Sequence, residues 1–469
     1  MECRVEGVGR DAGWNGAAIA RSSFAILRRP FLLGCFAFAC LVAFGRNARA
    51  ESSAPNLSAG DLHTCARTSG LLWCWGSNSN GELGDGTTTD RLAPEPVRGL
   101  ARSVAEVSSG AGYTCARMST NSLWCWGADL LGQLGNGTTT GTSTPVNVGS
   151  LGTLVAEVSA GNRHTCAREV DGSLWCFGDN GFGALGTGNT TVNFSATPVQ
   201  PFFFTPAITA GISAGDEFTL SVGSDGTLYS WGGNFNGELG SGMASSPSYT
   251  PLTVGIPGAT AFQVSAGDAH SCVRTTTNAL WCFGLNSNGA LGNGTTTDSA
   301  TPVQVPISNV MQVTAGGLHT CALKTDGTLW CWGRNSSGQI GDGTTTDRLT
   351  PVQVTALGNS VAEVSAGEAH TCARKLDNTF WCWGDNSRGQ IGDGTTTGRL
   401  TPTQLQLLFT CGDGQCVRPE TLANCRADCA PPVPIPATAA GLLAALLAGI
   451  GLVRSTRRSH RSGNGGSQR

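Results

Sequence analysis

Residues 314–346 read TAGGLHTCALKTDGTLWCWGRNSSGQIGDGTTT, and the chain writes this line seven times, with small changes, between Ser58 and Leu407. The opening S-A-G or a close variant falls at Ser58, Ser108, Ser159, Ser213, Ser265, Thr314 and Ser365, in steps of 49 to 54 residues around a mean of about 51. A period of this length with several strands per unit is the pattern of β-propeller blades. One blade cannot bury its own apolar faces, whereas seven set radially share a closed series of interfaces.

Within the sixth repeat, Met311–Gly316, His319–Leu323, Thr328–Gly333 and Pro351–Val354 are rich in β-branched and aromatic residues and are separated by Gly, Asn and Asp clusters. They read as four strands. No stretch of the repeats carries a helical apolar period long enough to compete. The expected fold is all-β, a seven-bladed propeller over residues 51–410. A ring must also join its ends, and pairing of Asn56–Gly60 near Thr401–Leu407 is the expected device.

Cysteine usage follows the repeat. Six repeats carry one Cys in the H-T-C strand and one in the W-C-W strand: Cys65/Cys74, Cys115/Cys125, Cys166/Cys176, Cys272/Cys282, Cys321/Cys331 and Cys372/Cys382. The fourth repeat has Leu220 and Ser230 there, so both cysteines are missing together. Joint loss is what a bonded pair predicts and two independent buried thiols do not, and neighbouring hairpin strands bring the positions within disulfide range. Zinc fits poorly, because each blade offers two thiolates and zinc takes four ligands. Disulfides place the chain in an oxidising compartment.

The run from His319 to Gly343 resembles the repeat of the regulator of chromosome condensation family (alpha-tubulin suppressor-like repeats), in its Cys-containing bacterial form, and it recurs over about 350 of the 469 residues. The resemblance implies a propeller. It implies no single function, since propellers of that family include a nucleotide exchange factor for a small nuclear GTPase, a plant ultraviolet receptor and a secreted bacterial inhibitor of β-lactamase.

Both ends read as export and anchoring signals. Arg28 and Arg29 precede the apolar run Phe31–Phe44, which ends in the A-x-A site Ala48–Ala50. This predicts a signal peptide over residues 1–50 and a mature chain from Glu51. Its basic and apolar parts come late, so the start of translation is expected downstream of Met1. Residues 411–430 form a Cys-rich knot, with Cys411, Cys416, Cys425 and Cys429 paired among themselves in an order the sequence leaves open. The knot resembles C-G-D-G-x-C segments of exported bacterial proteins. Its acids Asp413, Glu420 and Asp428 either solvate it or offer oxygen ligands to calcium. Residues 431–469 are a proline spacer, an apolar stretch Ala437–Val453 and a basic tail with Arg454, Arg457, Arg458 and Arg461. That order predicts a short transmembrane helix with its basic end cytoplasmic. It resembles the sorting tails of Gram-negative bacteria, which would place the propeller at the cell envelope or surface.

Charge narrows the partners. Between Glu51 and Cys429 stand 17 basic and 29 acidic residues, near −12. Such a surface repels polyanions and offers no basic stripe, so nucleic acid is not an expected partner. Catalytic signals are absent from the pattern, and neither a cofactor nor a metal is expected. His63, His164, His270, His319 and His370 share one repeat position, as residues placed for the blade do, and Tyr113 and Phe218 break the ring they would need to hold a metal. The tryptophans alternating with Cys, such as Trp330 and Trp332, read as packing between blades. The G-T-T-T loops read as turns or as a contact surface.

The best clue to a binding site is departure from the repeat. The fourth repeat lacks the Cys pair, inserts Phe202, Phe203 and Phe204, and puts Asp216 and Glu217 before Phe218. These five residues are the candidate ligand contacts, with the phenylalanines expected as a partly exposed ridge. The function expected is a monomeric, exported and anchored scaffold that binds an envelope or extracellular protein or glycan through its loops. The alternatives are an exported enzyme inhibitor like the β-lactamase-binding propeller and, behind it, an exchange-factor-like regulator.

Overall fold

The computed structural model describes residues 56–202 and 208–405. Among them run 28 strands in seven four-stranded antiparallel sheets, each built wholly from consecutive strands. The first blade is β1 (Leu57–Ala59), β2 (His63–Thr68), β3 (Leu71–Gly76) and β4 (Arg91–Pro96). The sixth has Val310–Ala315, His319–Lys324, Leu329–Gly333 and Arg348–Gln353. Its outer strand begins earlier than Pro351 because Arg348 Nε donates to Asp342 Oδ2 at 2.7 Å and the strand then pairs opposite Gly333 across a bulge.

Register explains the cysteines. Cys65 lies directly opposite Cys74, and the same holds for Cys115 and Cys125, Cys166 and Cys176, Cys272 and Cys282, Cys321 and Cys331, and Cys372 and Cys382. All six pairs stand at disulfide distance with Cα atoms 4.1 Å apart. In the fourth blade Leu220 faces Ser230 at the same register, both buried, and the Ser230 hydroxyl donates to Leu239 O at 2.7 Å.

The core lies between blades, in seven clusters. Each sets the cysteine face of one blade, or its Leu220 counterpart, against the aromatic face of the next. Between the sixth and seventh blades Cys321, Leu329 and Ile340 meet Val364, Ala373 and Trp383. The second Trp of W-C-W is fully buried, and its indole N–H stays satisfied: Trp383 Nε1 donates to Gln339 O at 2.9 Å. A buried indole needs such a partner. Gly341 must be glycine here, because its φ is +81° and a Cβ would lie 2.6 Å from Trp383 Nε1. The first Trp packs less deeply, and Trp330 Nε1 donates to the hydroxyl of Thr328, just before its own strand, at 3.0 Å.

Closure differs from expectation. The strand β1 pairs with β2 and not with the last outer strand, Arg399–Gln404, which pairs with Phe380–Gly384. First and last blades are each complete, so the ring closes by the same face packing as every other interface: Cys372, Cys382 and Ile391 meet Leu57, Ala66 and Trp75. Asn56 N and Leu57 N donate to Glu363 Oε1 at 2.7 and 3.1 Å. The serine of S-A-G completes the join. In every blade its hydroxyl, or that of Thr314, accepts from the next blade's inner-strand N–H, from Ser58 to Ser109 N at 2.8 Å round to Ser365 and Ala59 N at 2.9 Å.

The expected leader at residues 1–50, the knot with Cys411, Cys416, Cys425 and Cys429, its acids Asp413, Glu420 and Asp428, and the helix at Ala437–Val453 lie outside the described residues. Among the described residues no helix is long and apolar enough to cross a membrane.

Candidate functional site

Two sets of turns share one end of every blade. The turn after S-A-G leads into the H-T-C strand, and its second residue accepts from the backbone just past the W-C-W strand, as Glu217 O does from Gly233 N at 2.8 Å. Together these turns build one loop face around the axis.

At its centre each S-A-G turn contributes one residue: Asp61, Ala111, Asn162, Asp216, Asp268, Gly317 and Glu368. All of them but Ala111 rim an open central cavity of about 160 Å³ lined by the seven S-A-G segments. Burial, then the negative charges of Asp268, Glu368 and Asp216, pushes Asp61 up to about 7. Asp268 also rises to about 7, through burial and then Asp216 and Glu368. Burial raises Asp216 as well, against the pull of Asn162 and Arg163. Glu217 rises by burial and by the charges of Asp216 and Asp179. Clusters of perturbed carboxyls mark functional sites more often than chance places them. Among the described residues no group of three or more His, Cys, Asp or Glu is placed to hold a metal ion.

Beneath the rim lies the imidazole ring. His63, His164, His270, His319 and His370 are fully buried, and each Nε2 lies 2.8 Å from the threonine hydroxyl of the next blade, His319 on Thr371 and His370 on Thr64. Burial drives their basicity down, to about 3 for His63 and His319 and about 4 for the others. They are neutral staples between blades. Tyr113 substitutes by reaching further, its hydroxyl donating to His164 O at 2.7 Å.

The outer part of the face is made by the loops after W-C-W. An Asn, or Asp129 in the second blade, holds each loop from inside: Asn335 Oδ1 accepts from Ile340 N, and its Nδ2 donates to Thr344 O and Thr346 O. Asn180 and Asn234 do the same with Leu185 and Leu239, and Asp129 with Leu134. With the backbone fixed in this way, the next two residues are presented outward. In the first, fifth, sixth and seventh blades these are Ser79 and Asn80, Ser287 and Asn288, Ser336 and Ser337, and Ser387 and Arg388. In the second, third and fourth they include Leu130, Phe182 and Phe235, which are 83%, 37% and 49% exposed. Phe182 and Phe235 meet edge to face across the blade boundary, with centroids 4.9 Å apart and planes at 85°.

Of the sequence-predicted contacts, Asp216 and Glu217 stand on this face. Phe202 follows the third blade's outer strand, Phe194–Val199, is 49% exposed, and packs on that blade's loop, its N–H donating to Gly186 O at 2.8 Å. Phe203 and Phe204 lie outside the described residues. Phe182 and Phe235 were not anticipated, although setting the seven loops in register exposes them as apolar substitutions, Phe235 in the first column after the anchoring residue and Phe182 in the second.

Comparison with known proteins now fits this architecture. Residues 42–320 match the RCC1-like domain, residues 326–374 match the regulator of chromosome condensation (RCC1) repeat, and residues 310–339 and 361–390 match that repeat again. The chain belongs to the RCC1 repeat family. It is similar to the ultraviolet-B receptor UVR8 of Arabidopsis thaliana, 32% identical over 355 residues that cover 75% of this chain and 69% of the receptor. The human E3 ubiquitin-protein ligase HERC2 is 30% identical over 72% of this chain, which spans only 6% of that ligase. Among solved structures, human WBSCR16 superposes with a TM-score of 0.66 at 20% identity, covering 72% of this chain and 95% of that one. Prp20p of Saccharomyces cerevisiae does so at 0.65 and 21% identity, covering 72% and 86%. Those structures share the propeller fold with this chain.

Proposed function

We propose that this protein is an exported, membrane- or surface-anchored propeller scaffold that binds a protein ligand through its loop face, and that it carries out no chemistry itself. The observation that carries the reading is the run of Leu130, Phe182 and Phe235 on consecutive blades, at loop positions where the other blades place serine, asparagine or arginine. A scaffold does not require exposed aromatics there, whereas a protein contact uses them as anchors. A protein partner also agrees with Prp20p, whose structural work describes binding to Gsp1p and histones. Export is supported by six cysteine pairs at disulfide distance, since such pairs persist in oxidising compartments. The acidic mature region argues against nucleic acid.

Capture tests the reading. The full chain and its Phe182→Asn/Phe235→Ser variant, each cross-linked to the cell envelope fraction, should differ in the proteins retained, with at least one partner lost from the variant. Identical sets from both would contradict the loop face as the binding surface. Export is tested separately by thiol labelling in intact cells, where the twelve repeat cysteines should be unreactive and the protein should fractionate with the envelope.

A further inference from the structure

We infer that the loop face recognises a polypeptide segment that is both cationic and apolar, seating an apolar side chain on the Phe182–Phe235 pair and an arginine or lysine against the Asp216–Glu217 turn. This rests on the reading of the loop face as the binding face and adds the chemistry of the partner.

The apolar half of the argument is positional. The loops of the third and fourth blades are held rigid by Asn180 and Asn234, so Phe182 and Phe235 are presented on a fixed backbone. Their edge-to-face contact hides part of each ring and leaves the rest in water. Fixed, half-exposed aromatics lose little freedom on binding, which is what makes them efficient anchors.

The sign of the partner follows from the neighbouring charges. Glu217 feels the like charges of Asp216, Asp179 and Glu238, against the single opposing charge of Arg163. Its side chain also borders Gly233, and a Cβ there would lie 3.2 Å from Glu217 Cβ and 3.5 Å from the Phe235 ring, so acid and aromatic share one patch. A neutral or anionic partner would strip water from these carboxylates without compensation. A guanidinium or ammonium would relieve their mutual repulsion while it displaced that water. Within one patch, the aromatics select for apolar contact and the acids select against every partner but a cation.

The test uses the full chain and three twelve-residue fluorescein-labelled peptides, read by anisotropy. One alternates arginine with leucine and tryptophan, the second has glutamate for every arginine, and the third has serine for every leucine and tryptophan. The first should bind at least tenfold more tightly than either of the others. Phe182→Asn/Phe235→Ser should weaken it tenfold or more, and Asp216→Asn/Glu217→Gln should weaken it and flatten its dependence on salt. The phenylalanine substitutions copy what other blades carry at those positions, and unchanged thermal unfolding would confirm an intact scaffold. Equal binding of the glutamate peptide, indifference to the phenylalanine variant, or aromatic-dependent binding to a glycan array instead of to peptides would overturn the inference. If the peptides fail while the phenylalanine variant still loses its envelope partner, the cationic assignment falls and the loop face stands; if the variant loses nothing, both fall.

Discussion

Thr371 shows how much one repeated residue can hold. Its hydroxyl donates to Gln339 O at 2.8 Å and lies 2.8 Å from His319 Nε2, so it ties the seventh blade to the sixth at two buried points. Thr371→Val keeps the shape and orphans both partners, and it should cost about 2 kcal/mol in urea unfolding, whereas Thr371→Ser should cost less than half of that. Asp61 works in the opposite direction. The unfolded carboxyl ionises near 3.8 and the folded one near 7, so the folded state holds the extra proton between those values and stability falls as pH rises through that window. Asp61→Asn should therefore match the parent at pH 3.5 and exceed it at pH 8, by up to about 4 kcal/mol. A gain at both pH values would refute the charge as the cause. Retention of a destabilising carboxylate at the mouth is in keeping with a binding role.

The blade itself was largely legible at the level of the element. The repeated H-T-C and W-C-W segments announced two neighbouring strands, and the joint absence of both cysteines from the fourth repeat announced that the two positions face each other. Leu220 opposite Ser230 is that same register without the sulfur. Leu220→Cys/Ser230→Cys should consequently form a seventh pair without moving any strand. Oxidation should contribute up to about 2 kcal/mol, less about 1 kcal/mol for the lost Ser230 bond to Leu239 O. Peptide mass spectrometry finding two free thiols would contradict the register. The outer strand was read three residues short because Pro351 reads as a strand's first residue, whereas Arg348, held by Asp342 from the preceding loop, already lies opposite Gly333.

At the scale of the molecule, relations between blades were the part hidden from sequence. Strand exchange between the chain ends was a reasonable closing device, but it needs an incomplete blade at one end. Both terminal repeats supply four strands, so closure falls to Leu57, Trp75 and Ile391 packing as their equivalents do elsewhere. The binding face was half legible for a related reason. Asp216 and Glu217 stood out because they break their own repeat, while Phe182 and Phe235 lie 53 residues apart, at adjacent rather than equivalent loop positions, and become one feature only when the ring sets neighbouring blades side by side. A pattern that runs along the chain shows in the sequence; one that runs around the axis shows only once the blades are superimposed.

Site-specific photo-cross-linking tests the central claim most directly, with a benzophenone side chain placed at residue 235 in one protein and at residue 336, its counterpart in the sixth blade, in another. If the apolar sector of the loop face binds the partner, illumination in cells should give a discrete covalent adduct from position 235 and none from Ser336, which is also exposed. Equal adducts from both positions, or an adduct from 336 alone, would contradict the account.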